Sequence, residues 1–265
     1  MRRSMMPTHL LAIWFMAVVL FLFFPLIVVV LFSFNTSEIS VLPIRGFTLD
    51  WYRRLFDNHS IATSLSNSLF VAFFTVVISI MLGVAFAIGL ARQGGRMSTG
   101  LLALAAAPMV LPRLILGVAL LTFLDAISIR LSLLTVMLGH SLIGIPYVVL
   151  IVHARLATFD HRLEEAAWDL GAGFITVLRT VTLPLLMPAI VASALIVFTL
   201  SFDDVVVAVF TTGVDNTLPM YLWGLLRYGI TPEVNALASI TLLVSGMTAV
   251  FAEVMLRLSA KTQKT

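Results

Sequence analysis

Leu163 to Pro188 reads LEEAAWDLGAGFITVLRTVTLPLLMP, and it is the longest stretch of cytoplasmic character in a chain otherwise made of apolar runs. Glu164, Glu165, Ala166, Ala167 and Asp169 lead into Gly171 and Gly173, which break or turn a short helix. Arg179 follows, and at Leu183 and Pro184 the next apolar run begins. A short amphipathic helix with a small-residue face suits docking into a groove on another protein, because alanine lets two backbones approach closely. Its carboxylates and Arg162 set orientation by charge pairing at the rim.

Outward from this stretch, the composition decides the class. Of 265 residues, 60% are hydrophobic and 11% charged, with a mean hydropathy of +1.09, which describes an integral membrane protein. No soluble domain of useful size fits between the spans. A lipid bilayer is therefore the first partner. The basic residues lie beside the spans without interleaved exposed aromatics, so nucleic acid is excluded as a partner. The absence of cysteine rules out disulfides and thiolate metal sites.

Six apolar runs are each long enough to cross a hydrocarbon core, which needs about 20 residues. They cover residues 10–32, 67–90, 99–123, 133–152, 185–210 and 234–258, with a cytoplasmic loop at 153–184. The expected fold is all-α and polytopic, one transmembrane domain over 1–265. The first run is too long for a secretory signal and lacks a small-residue cleavage site, so it reads as an uncleaved span. Pro108, Pro112 and Gly117 mark the third span as kinked. A short helix is expected from Pro219 to Tyr228, and Thr231-Pro232-Glu233 reads as a helix start.

The basic residues also orient the chain. With the N-terminus inside, Arg2, Arg3, Arg92, Arg96, Arg155, Arg162, Arg179, Arg257, Lys261 and Lys264 are cytoplasmic, as the positive-inside rule requires. Arg45, Arg53, Arg54, Arg130 and Arg227 then lie outside, and Arg113 within a span. Both termini and the Glu165 loop fall in the cytoplasm.

Chemistry is sparse. No GxxxxGK[ST] phosphate loop is present, so the chain is expected to bind no cofactor and not to hydrolyse ATP itself. The histidines at 9, 59, 140, 153 and 161 show no metal-ligand spacing, and no metal is expected. The stronger polar signal is Ser201-Phe202-Asp203-Asp204 near the outer part of the fifth span, together with Arg113 in the third. Ionisable groups within a bilayer cost several kcal/mol unless paired or wetted. Two readings stay open: a structural ion pair between packed helices, or an aspartate facing a translocation path.

The spacing Glu165-Ala166-Ala167, then Gly171, then Val181 and Leu183-Pro184 resembles the EAA loop of bacterial ABC-importer permeases, with Val where that family usually has Ile. In the family this loop is the coupling helix, seated in a cleft of the ATPase subunit. From about Asn67 onward the chain resembles the spermidine/putrescine branch. The resemblance is carried by the EAA loop, Ser201-Phe202-Asp203-Asp204, Thr212-Gly213, Thr217-Leu218-Pro219 and Thr231-Pro232-Glu233-Val234-Asn235-Ala236.

The resemblance implies a type I ABC-importer permease in the bacterial inner membrane. It also implies a second permease subunit, two ATP-binding-cassette ATPase subunits that bind the ATP, and a periplasmic substrate-binding protein. Gly213 to Tyr228 would meet that binding protein, through Pro219, Trp223 and Tyr228, or else lie in the headgroup layer. One departure stands out: polyamine permeases tend to carry an acid after the proline of Pro112-Arg113. Arg113 would repel a polyamine, so an anionic or zwitterionic relative such as an opine, an amino-acid derivative or a carboxylate stands beside a polyamine or related small amine as the expected substrate. An ion-coupled secondary transporter is the rival class, since it too would carry intramembrane carboxylates.

Overall fold

The computed structural model describes residues 8–38, 42–227, 229 and 231–262, and the described residues are almost entirely helical. Cα proximity divides the chain into two units, Met1–His59 with Gly224–Val244, and Ser60–Trp223 with Ser245–Thr265.

In the first unit, α1 (Thr8–Phe32) is apolar throughout and its membrane-length stretch is wholly unburied within the chain, the condition of a helix that faces lipid or another subunit. Pro25 sits inside it. After α1 the chain makes a compact turn: an isolated bridge joins Asn35 to Phe47, and the Trp51 indole N–H donates to the Asn35 carbonyl at 2.7 Å. Trp51 belongs to α2 (Asp50–Asp57), an amphipathic helix that buries Trp51 and Leu55 and leaves Arg53, Arg54 and Phe56 outward. A buried backbone carbonyl needs such a donor, and the amphipathic tryptophan supplies it.

The second unit is built on α3 (His59–Gln93), α6 (Leu133–Ala157) and α9 (Leu183–Phe202). Val84 and Ala87 of α3, Val148, Val152 and Leu156 of α6, and Leu186, Ala189 and Val197 of α9 form one apolar core. Lipid tails are as apolar as leucine, so burial alone does not drive these helices together; close packing does. Gly144 of α6 provides it. A Cβ there would stand 2.6 Å from the Ser79 hydroxyl of α3 and 2.8 Å from Val197 of α9, so the three helices close on a site that admits no side chain.

Two expected spans are broken. The third, expected as one kinked span over 99–123, is a pair of helices, α4 (Gly95–Val110) and α5 (Arg113–Ala126), bent by 99°. Pro112 lacks an N–H and forces the residue before it out of the helical region; Leu111 is extended, at φ −72° and ψ 134°. Pro108, one turn earlier, stays within α4. The fifth, expected to run over 185–210, ends with α9 at Phe202 and restarts as α10 (Val206–Thr211). The cause is Asp204, whose carboxylate accepts the backbone N–H groups of Val206 and Val207 and so begins a new helix.

Other bounds shift less. The second span starts at His59 rather than at residue 67, and the fourth runs on to Ala157 rather than ending at residue 152. The short helix expected from Pro219 is α11 (Leu218–Leu226), and α12 (Pro232–Thr262) contains the sixth expected span. Among the described residues, four helices are long and apolar enough to cross a membrane, or five if the bent pair counts as one span. The expected count of six is therefore not reached on that criterion. The loop expected at 153–184 is largely helical: the end of α6, then α7 (Arg162–Asp169), α8 (Phe174–Val177) and a wide turn over Leu178–Thr182 in which the Leu183 N–H reaches the Leu178 carbonyl.

Candidate coupling helix and intramembrane polar cluster

The segment around α7 is shaped by local chemistry. The Asp160 carboxylate accepts the Arg162 N–H at 3.1 Å, satisfying one of the free donors at the start of α7. Glu164 and Glu165 in its first turn match the positive end of the helix dipole. At the other end Gly171 takes φ +82°, a conformation that glycine adopts without strain, and its N–H returns to the Trp168 carbonyl at 2.8 Å. The helix therefore ends where the Gly171 signal places it.

The two glutamates differ in burial. Glu164 is buried and accepts the Thr182 hydroxyl; its carboxylate lies 3.7 Å from the Arg92 guanidinium at the end of α3. Glu165, Ala166 and Asp169 are exposed, with Arg162 beside them and Ala167 half-buried. This outward face is rimmed by apolar side chains that have left the protein interior: Leu163 and Phe174 are about half exposed and Leu170 is 89% exposed. A cavity of about 300 Å³ behind the helix is lined by Arg92, His161, Glu164, Glu165, Trp168 and Thr182, among others. Leu183 and Pro184 begin α9, where a proline in the first turn costs no hydrogen bond.

The second candidate lies at the break between α9 and α10. Asp204 is 2% exposed. Besides its bonds to Val206 and Val207, one carboxylate oxygen stands 3.6 Å from the Arg113 guanidinium of α5, and the other 3.7 Å from Nε2 of His140 in α6. Nδ1 of that histidine meets the Ser201 hydroxyl at 2.8 Å. Arg113 is brought here by the bend at Pro112, since it is the first residue of α5. The cluster thus joins α5, α6, α9 and α10 at one buried carboxylate. Asp203, next in sequence, is exposed and has no ion-pair partner among the described residues.

Of the residues singled out in the sequence, the structure gathers Arg113, Ser201 and Asp204 into one cluster and leaves Asp203 outside it. It adds His140, which the sequence reading passed over as a possible metal ligand. The signal was present: a histidine in mid-span is an ionisable group in the bilayer, like the aspartates. Among the described residues no group of His, Asp and Glu is arranged to hold a metal.

On the stretch after α10, Thr212 donates to the Asp215 carbonyl and the Leu218 N–H donates to the Ser68 hydroxyl of α3 at 2.8 Å. Pro219 is buried and Trp223 is 52% exposed. Tyr228 lies outside the described residues.

A comparison with protein-family models finds no match. Curated proteins do match, over most of their length. The chain is 37% identical over 241 residues to the spermidine/putrescine transport system permease protein PotC of Haemophilus influenzae, covering 89% of this chain and 92% of that one. It is 36% identical over 230 residues to PotC of Escherichia coli K12, covering 86% and 87%.

The chain belongs to this family of transport permeases.

A third relative, the putrescine transport system permease protein PotI of Escherichia coli K12, is 36% identical over 84% of the permease described here and 82% of its own length. Solved structures carry the fold further. A bacterial ABC transporter involved in the import of the acidic polysaccharide alginate superposes with a TM-score of 0.72 at 18% identity, covering 93% of the permease and 95% of that chain. The MetNI methionine ABC transporter gives 0.61 at 16% identity, over 74% and 94%. The chain is a multi-pass membrane protein that belongs with transport-system permeases and has the fold of ABC-transporter membrane subunits. The rival reading, an ion-coupled secondary transporter, finds no support among these relatives.

Proposed function

We propose that this permease imports a polyamine of the spermidine or putrescine type. It does so with a second permease subunit, two ATPase subunits that bind the ATP and a periplasmic binding protein, as one of two halves that form the path. The observation that carries the reading is the 36–37% identity to polyamine permeases over more than four fifths of the chain. The chain crosses the membrane six times with both termini in the cytoplasm. The outward face of α7, Glu165-Ala166-Asp169 with Ala167 at its edge, docks on the ATPase. Its alanines permit close approach, its carboxylates set orientation, and the exposed Leu163, Leu170 and Phe174 supply the apolar rim.

Arg113 taken alone would repel a polyamine and favour an anionic or zwitterionic substrate. The Asp204 carboxylate 3.6 Å away matches that charge, so the objection loses its basis. Asp203, exposed beside the break in the helix, then offers a negative charge to a cationic substrate. A helix break at this depth suits a water-filled path, because free backbone groups are tolerated in a membrane only where protein or water satisfies them. The stretch expected to meet the binding protein, Gly213 to Tyr228, does so through the exposed Trp223; Pro219 is buried and Tyr228 lies outside the described residues.

Deleting the permease from its native host tests the whole reading. Uptake of labelled putrescine or spermidine is expected to fall and to return with the wild-type chain. It is not expected to return with Glu165→Lys, although that variant accumulates in the membrane. Polyamine uptake unchanged by the deletion would overturn the substrate, and full rescue by Glu165→Lys would overturn the docking face.

A further inference from the structure

We infer that Glu164 is a positioning residue that latches the coupling helix to two membrane helices at once, so that its role differs in kind from that of its neighbour Glu165. The inference rests on the reading of α7 as the coupling helix. Glu164 is 7% exposed and turned into the protein, the wrong way to meet a partner subunit. Its carboxylate is held from two sides. The Thr182 hydroxyl, at the last residue before α9, donates to one oxygen. The Arg92 guanidinium, one residue from the end of α3, lies 3.7 Å from that same oxygen, and His161, one residue before α7, lies 3.8 Å from the other.

Each partner is itself fixed. The guanidinium lies over the Phe174 ring at 4.5 Å, which holds it between α8 and the carboxylate. Thr182 closes the wide turn of Leu178–Thr182, a form of helix that recurs where a backbone must bend for function. Behind these partners, α3 and α9 share the apolar core of Val84, Ala87, Leu186 and Ala189. A displacement of α7 is therefore passed to the cytoplasmic ends of α3 and α9 through one buried carboxylate. Among the described residues, no other polar side chain of α7 is tied to both helices. Glu165 grips the ATPase, and Glu164 transmits what the grip delivers.

Both Arg92 and Thr182 are needed for this, and they serve different helices. Removing Arg92 frees α3 while the tie to α9 persists; truncating Glu164 frees both.

The assembled importer, reconstituted in lipid with its own partner subunits and with putrescine as the transported probe, tests the latch. The ATPase is expected to co-purify with Glu164→Ala and with Arg92→Gln at wild-type yield. Both variants should raise the ATP hydrolysed per putrescine imported by at least about fivefold, the lower end of what a coupling free energy between linked sites is worth. Glu164→Gln keeps an acceptor for Thr182 but loses the charge facing Arg92, and should fall between wild type and Glu164→Ala. A merely structural role would lower the amount of folded importer and leave the ratio unchanged.

A wild-type ratio in both Glu164→Ala and Arg92→Gln overturns the latch, and so does loss of the ATPase from Glu164→Ala at normal membrane levels. Arg92 is partly exposed at the surface, so its variant remains informative even where Glu164→Ala folds poorly. Glu165→Lys run in parallel separates the two readings: an ATPase retained by that variant defeats the docking face itself, whatever Glu164 does.

Discussion

Two adjacent aspartates divide the work at the break in the fifth span. Asp204 is buried, caps α10 through Val206 and Val207, and compensates Arg113. Replacing it with alanine removes a helix cap, worth about 1 kcal/mol, and leaves a guanidinium without its counter-charge. Asp204→Ala is expected to lower the melting temperature of the detergent-purified permease by several degrees, as followed by size-exclusion chromatography after heating. Asp203 is exposed and has no ion pair or side-chain cap among the described residues. Asp203→Asn should leave the melting temperature within about 2 °C, given that exposed substitutions stay within about 0.5 kcal/mol, while weakening putrescine uptake. Equal losses of stability in the two variants would assign both aspartates to the scaffold. In the sequence the pair is legible only as two expensive charges in a membrane, because nothing in the order Asp203-Asp204 says which one turns inward. That choice belongs to the bend at Pro112, which delivers Arg113, and to His140 on a helix distant in sequence.

At the scale of elements, the short helix α7 and its glycine stop are a local matter, and local signals suffice to place them. Two carboxylates in the first turn, alanines next, and a glycine at φ +82° define its start, face and end. Gly171→Val asks a β-branched residue to hold a left-handed conformation, at a cost of at least about 1–2 kcal/mol. No neighbour lies within 4 Å of a Cβ at that position, so the penalty is conformational rather than a clash. The variant is expected to accumulate in the membrane but to lose most uptake, with Gly171→Asn retaining more, since asparagine tolerates that region better. Equal uptake by the two would mean that the turn plays no part in coupling. The broken third and fifth spans are the counterpart. Averaged over a span-length window, hydropathy stays high across both breaks, because apolar residues on either side outweigh Arg113 at the one and Asp203-Asp204 at the other. A window average cannot see that Leu111 is extended or that Asp204 starts a new helix.

For the whole molecule, topology is the consequence most open to measurement, and the natural absence of cysteine makes it a clean one. Leu170 and Val214 are 89% and 99% exposed, on opposite sides of the membrane in the proposed topology. In intact cells a membrane-impermeant maleimide should label Val214→Cys and not Leu170→Cys; Leu170→Cys should label only once the inner membrane is opened. Labelling of Leu170→Cys in intact cells would invert the topology and remove α7 from reach of any cytoplasmic ATPase. The amino-acid sequence by itself determined that the chain lives in a membrane, roughly where its apolar runs lie, and that a short helix stops at Gly171. These properties depend on composition and on contacts a few residues apart. Only the tertiary structure decided that Glu164 is buried while Glu165 is exposed, that Arg113 is matched by Asp204, and that His140 joins them. Such pairings span tens of residues and depend on how helices cross, at places such as Gly144 where no side chain fits, and a linear pattern of apolar residues carries no record of that crossing.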